Sequence, residues 1–267
     1  MGQVINLTGA KFTDSRLPVM RNWSGLNDGS LLMLDMSSID TGTSFTDAGT
    51  FDNLAANEAA ALTGKTAAEL SVSWTNNLTA AQAIFERTPK GGLHGIVSQT
   101  AGTAAGRAWF SCAGIQDYIA AHHADHDFAL FLHWRTTRGR KDGNSNPPTI
   151  QIAANSQPAF NRFYYNVISD TLGAASFANL GNYKEGTIVA NAMFNECPMF
   201  GTPSALSGAA NNCRSYVLYR LHLVDLTAAG MTMEEATAVE QGLYTQFFSP
   251  GGKYYGDTIP TQPSTLP

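Results

Sequence analysis

Ser215-Tyr216-Val217-Leu218-Tyr219-Arg220-Leu221-His222-Leu223-Val224-Asp225-Leu226 is the stretch on which the fold turns. It is dense in β-branched, aromatic and aliphatic residues, the composition of a strand. At period two, Val217, Tyr219, Leu221 and Leu223 share one face, and Tyr216, Leu218, Arg220, His222 and Val224 share the other. One face is apolar and the other mixed, as in a sheet packed on a second sheet. A helix is expected next. Thr232 is its N-cap, Glu235 three residues on completes a capping box, and Glu234 favours the positive helix N-terminus. From there to about Phe248, Met233, Ala236, Val239, Leu243, Tyr244 and Phe247 recur at helical spacing and form an apolar stripe. Ser249-Pro250-Gly251-Gly252 stops the helix, and a proline-rich tail follows.

The chain has 267 residues, of which 43% are hydrophobic and 10% aromatic. That is enough for a large core, since a chain of this size buries roughly three quarters of its unfolded surface. Charged residues make up 14%, against about 25% in typical soluble domains. A neutral polar coat of Gly, Ala, Ser, Thr and Asn suits packing against other chains or a glycan. The net charge of −5 argues against a nucleic-acid partner, and the basic group Arg135, Arg138, Arg140 and Lys141 reads as a solvated loop flank. Cys112, Cys197 and Cys213 contain no CxxC spacing and fit a reducing compartment; whether Cys197 and Cys213 pair is left open. No run reaches the roughly eighteen apolar residues of a membrane span, so membrane insertion is not expected. No charged region followed by an apolar one opens the chain, so a signal peptide is not expected either. Asn6 stands where a myristoylation signal needs Ser or Thr.

Residues 1–28 read as an N-terminal arm and 29–256 as one β-sandwich. Residues 257–267 read as a proline-rich tail, and arm and tail are both expected to lie on neighbouring chains. After the turn Asn27-Asp28-Gly29, strands are expected at Ser30–Asp35, as an edge around Leu70, Val72 and Trp74, near Phe85, and over Leu93–Gln99 and Ala108–Ser111. Residues 37–53 read as a loop, and short helices are expected over Asn57–Leu62 and Ile115–His122. Phe128–Arg135, apolar on both faces, reads as a central strand. Thr149–Ala153, Asn161–Ser169 and Thr187–Phe194 read as further strands, and Gly201–Asn212 as a loop. Many short strands joined by Gly, Pro and Asn turns predict a mainly β, antiparallel sandwich or jelly roll with a C-terminal α-helix and extended termini.

Several phrases read together carry a family resemblance. They are Gly29-Ser30-Leu31-Leu32-Met33-Leu34-Asp35, Asn53-Leu54-Ala55-Ala56-Asn57-Glu58-Ala59-Ala60-Ala61-Leu62 and Lys90-Gly91-Gly92-Leu93-His94. With them go Val217-Leu218-Tyr219-Arg220, Asp225-Leu226-Thr227 and Pro250-Gly251-Gly252-Lys253-Tyr254-Tyr255-Gly256-Asp257-Thr258. From about Gly29 to the C-terminus the chain resembles tailed-bacteriophage virion proteins with a concanavalin A-like (laminin G-like) domain. The resemblance implies a jelly roll of two curved antiparallel sheets, with the helix Met233–Phe248 near the edge. It also implies a structural or receptor-facing place on the particle, in a protein made in the host bacterial cytoplasm.

Chemistry is sparse. His122-His123-Ala124-Asp125-His126-Asp127 has the composition of a metal site, but consecutive side chains on a turn point apart. It reads as a polar connector, and no metal or cofactor is expected. Glycoside hydrolysis needs two carboxylates about 5–9.5 Å apart, and no strand carries Glu-x-Asp to supply them. Glu86 stands between Phe85 and Arg87, and Asp225 ends its strand alone. Ser111 lacks the Gly-x-Ser-x-Gly context of a nucleophile, so no catalytic residue is assigned. Sugar binding draws on Trp109, Trp134, Tyr164, Tyr165, Arg220 and His222, with Trp134, Arg220 and His222 as the glycan-binding candidates. The expected function is a non-enzymatic virion structural protein of head, neck, tail or baseplate, whose partners are copies of itself and other virion proteins. The alternative is a glycan-binding module whose partner is host surface glycan.

Overall fold

A computed structural model describes residues 23–40, 42–100, 106–141, 150–152, 163–165, 171–181, 195–196, 199–201 and 213–267. The larger part of the N-terminal arm, the strand expected at Thr187–Phe194 and Cys197 lie outside these residues.

The architecture is mainly antiparallel β. The strands are β1 (Ser30–Asp35), β2 (Gly49–Phe51), β3 (Val72–Asn76), β4 (Ala83–Arg87), β5 (Leu93–Val97), β6 (Arg107–Ser111), β7 (Phe128–Arg138), β8 (Ile150–Ile152), β9 (Phe163–Tyr165), β10 (Ala175–Gly181), β11 (Asn195–Glu196), β12 (Met199–Gly201) and β13 (Ser215–Asp225). Among the described residues the α-helices are α1 (Ala56–Thr63), α2 (Gln116–His122), α3 (Leu226–Ala229) and α4 (Met233–Phe248). The large sheet runs β10-β7-β13-β5-β4, with β1 also paired to β13. β5 pairs with the first part of β13, at Tyr216–Leu218, and β1 with the second, at Arg220–Val224. A second sheet runs β12-β6-β3-β2, and β11-β8-β9 form a third, smaller one.

The first two sheets face each other across one apolar core. Phe128, Leu130, Leu132 and Trp134 of β7 and Tyr216, Leu218, Leu221 and Leu223 of β13 meet Val72, Trp74, Phe110 and Phe200 of the second sheet there. Phe200 stacks on Tyr216 at 4.2 Å between ring centroids, and Trp74 meets Phe85 edge-on at 5.2 Å. Gly95 makes the close approach of the sheets feasible, because a Cβ there would stand 2.3 Å from Phe200.

β13 departs from strict alternation. Opposite β7 its register shifts between Leu218 and Arg220, and such a bulge turns two successive side chains to the same side. Tyr219 and Arg220 therefore both face away from the second sheet, and Leu221 and Leu223 join Tyr216 and Leu218 in the inter-sheet core. The period-two assignment, which set Leu221 beside Tyr219, is corrected by this bulge. β7 has no such shift between Phe128 and Trp134 and alternates cleanly.

α4 covers the other face of the large sheet, rather than its edge. Ala129, Phe131 and Val224 pack with Ala236, and Val217 and Tyr219 with Phe247 and Tyr254. Its N-terminus is closed by the capping box of Thr232 and Glu235. Tyr244 Oη donates to Ala175 O on β10 at 2.6 Å and ties the helix across three strands. Val239, counted in the apolar stripe, is 46% exposed, whereas Glu240 is buried in its stead.

Three further expectations change. β3 is an interior strand, because β2 forms inside the stretch read as a loop and pairs on its outer side. β10 was not expected, since its Ala-Ser-Phe-Ala-Asn pattern has little apolar alternation. The tail 257–267 lies on its own chain. Arg135 donates to Asp257 O, Arg138 to Pro263 O and Leu266 O, and the Ser98 hydroxyl and Gln99 N to Pro267 O.

Replacing Gly95 by Ala should drive a methyl into Phe200 and cost about 1–3 kcal/mol, the usual cost of overpacking. Urea unfolding of Gly95→Ala beside the parent chain checks this, and unchanged stability would mean that the sheets do not pack at this distance.

Candidate functional site

The mixed face of β13 sets Arg220 and His222 under α4, where both are 1% exposed. A buried guanidinium must be paired. Arg220 is held by Glu240 through Nη2 to Oε1 at 3.0 Å and Nε to Oε2 at 3.3 Å. Nη2 also donates to Ser24 O at 2.9 Å, and Asp35 Oδ2 lies 3.9 Å from Nη1. Residues 23–28, read with the arm, thus close over this cluster. Gly25 takes a φ of +89°, and a Cβ on it would meet Arg220 Nη2 and Glu240 Oε1.

His222 Nδ1 lies 2.7 Å from Glu240 Oε1, and its Nε2 lies 2.9 Å from Ser30 Oγ. Burial lowers the imidazole's pKa against the pull of Glu240. A neutral ring donating from Nδ1 and accepting from the Ser30 hydroxyl satisfies both partners. Burial raises the Glu240 carboxyl, but the His222 hydrogen bond and the Arg220 charge outweigh it and hold the group well below the usual carboxylate range. Asp35 is likewise raised by burial and lowered more strongly by Lys253, Tyr254 and Ser37; Lys253 Nζ and Tyr254 Oη both donate to it. His133 of β7 completes the buried layer among Phe177, Tyr244, Phe247 and Phe248. Neither of its ring nitrogens makes a hydrogen bond, and burial pushes its pKa down to about 3.

The three glycan-binding candidates do not form one surface. Trp134 is 3% exposed and points into the inter-sheet core, on the opposite side of the sheet from Arg220 and His222. Arg220 and His222 do meet, but beneath a helix. Trp109 is half-buried under Arg107, whose guanidinium stands 4.6 Å from its ring, and the side chains of Tyr164 and Tyr165 lie outside the described ones. Sequence reasoning missed Glu240, the residue that joins the two polar members. The signal was present, because the spacing 233, 236, 240, 243–244, 247 runs through it. A carboxylate on an apolar stripe calls for a buried cation, and Arg220 was the available one.

Glu86 is a latch. It accepts from Thr261 N at 2.9 Å and Thr261 Oγ1 at 2.6 Å, and lies 2.8 Å from His94 Nδ1. The tail is thereby tied to the edge strand β4.

The histidine-rich connector departs from its reading as side chains pointing apart. The helix path of α2 continues for one turn, with His126 N bonded to His122 O at 3.0 Å. His122, Asp125 and His126 consequently converge, a nitrogen or oxygen of each within 4.8 Å of the others. The His122 and His126 rings lie 4.2 Å apart, centroid to centroid. Asp225, at the end of β13, is fully buried and lies 2.5 Å from His126 Nδ1.

No model of a known protein family matches the chain, and no curated protein does.

Two outcomes are expected of the buried layer. Glu240→Gln strands Arg220 without its counter-charge and should cost about 3–5 kcal/mol, read by urea unfolding. Stability should also fall as the pH drops from about 6.5 towards 3. The unfolded chain's imidazole binds a proton near 6.5, whereas buried His133 resists until about 3, and His94 and His222 are lowered in the same direction. His133→Phe should lessen that slope by up to about 1.4 kcal/mol per pH unit, the value of one proton. An unaltered slope across a pH series of unfolding curves would place His133 in contact with water.

Proposed function

We propose that the chain is a non-enzymatic structural protein of a tailed-bacteriophage particle. It would be a concanavalin A-like jelly roll that acts through contacts with copies of itself and other virion proteins. The observation that carries this reading is the closure of the large sheet. One face is taken by the second sheet and the other by α4 and the C-terminal tail. Among the described residues, neither face of a sheet covered in this way is left open as a groove for a polymer chain. Two buried carboxylates, Asp35 and Glu240, are 1% and 2% exposed and are held by Lys253 and Arg220 respectively, a duty that keeps them from a sugar. The phrases that carry the resemblance to phage virion proteins, and a composition poor in charge, agree with a part that works by packing.

A second reading, glycan binding for host adsorption, is favoured by one feature. An open cleft of about 400 Å³ lies between the end of β7 and the tail. Arg135, Thr137, Thr258 and Gln262 offer donors and acceptors there, and Leu172 and Ile259 offer apolar walls. Arg135 Nη2 makes no hydrogen bond.

Deletion of residues 1–22, which keeps Ser24 and Gly25 over Arg220, should abolish incorporation into particles while leaving the cooperative unfolding of the sandwich in place. A truncated chain that loads normally refutes an assembly role for the arm. A glycan array is expected to stay silent under the first reading. Signals lost in Arg135→Ala and Gln262→Ala would favour the second.

A further inference from the structure

We propose that His122, Asp125 and His126 form a site for a divalent transition-metal ion, with zinc the best fit. The residues follow from geometry. His122 and His126 are one helical turn apart, and Asp125 joins them from the same turn. His122 Nδ1 lies 3.8 Å from Asp125 Oδ1, is screened from water and makes no hydrogen bond. Tetrahedral ligands at zinc distances stand about 3.4 Å apart. The three groups, within 4.8 Å of one another, need only small side-chain rotations to close on an ion. His122 and Asp125 have that freedom, with side chains 36% and 69% exposed.

A second observation points the same way. Asp225 lies against His126 Nδ1 and is itself fixed, accepting from Tyr118 Oη at 2.8 Å and from Ala228 N at 2.9 Å. An imidazole whose Nδ1–H donates to a buried carboxylate carries its lone pair on Nε2. That carboxylate–histidine pairing is the one that orients ligating histidines. Two imidazoles with one carboxylate select zinc and its transition-metal neighbours over calcium or magnesium, which prefer all-oxygen shells. Three protein ligands near the surface leave coordination positions for water. A bound ion would fasten the turn after α2 to the end of β13 through His126 and Asp225.

The test uses untagged, chelator-treated full-length chain. Of its six histidines, His94, His133 and His222 are 0–1% exposed, so an imidazole-borne signal reports the connector. Calorimetric titration with zinc should give one ion per chain, and cobalt(II) should develop the visible absorption of a tetrahedral centre. The double variant His122→Gln/Asp125→Asn, at side chains 36% and 69% exposed, should keep its thermal unfolding and lose affinity by at least about tenfold. His123→Gln, whose Nδ1 lies against Ala120 O, should bind as the parent does. Absence of zinc and cobalt binding at micromolar concentrations, or a double variant that binds as tightly as the parent, would overturn the proposal.

Discussion

A guanidinium sealed between a sheet and a helix is the constraint around which this molecule is arranged. Arg220 lies at the bulge of β13, and burying its charge alone would cost several kcal/mol. Its position is tolerable because α4 brings Glu240 to it in a two-point contact, while residue 24 and β1 supply a carbonyl and a second carboxylate. Apolar packing alone would let a helix slide along a sheet at little cost. A charge pair that must meet allows one register. Mutual dependence follows: the helix needs the bulge to aim Arg220, and the strand needs the helix to cover it.

The same layer supports the proposal of a structural part. β13 is buried along its whole length, and it can be so because its two faces answer to different partners. The inter-sheet face is closed by apolar and aromatic packing. The helix face mixes that packing with a neutral His222, an ionised Glu240 and a neutral His133, each charge state set by burial and neighbours. Polar groups so placed discriminate between registers; they are not exposed to a substrate.

The histidine connector differs in kind. His122 and Asp125 are partly exposed. They are linked to the interior by the His126–Asp225 contact and by the rings of Tyr118 and Phe128, which His122 and His126 touch. A folded block with a surface-borne cluster of ligating groups can be stiffened or linked there without disturbing its core.

Much was legible from local pattern. The strands β1, β5, β6 and β7, the helix α1 with its left-handed Gly64 cap and the capping box of α4 all obey rules that act over a few residues. Residue type and spacing therefore determined them. The tertiary structure decided the rest. A bulge arises from the partner strand's register, so the alternation of β13 alone could not show that Tyr219 and Arg220 share a face. Glu240 and Arg220 find each other across 20 residues, and His126 and Asp225 across 99. Trp134 looks the same in sequence whether it lines a groove or fills a core. Side chains distant along the chain acquire their roles from what faces them, and that is set when the layers close.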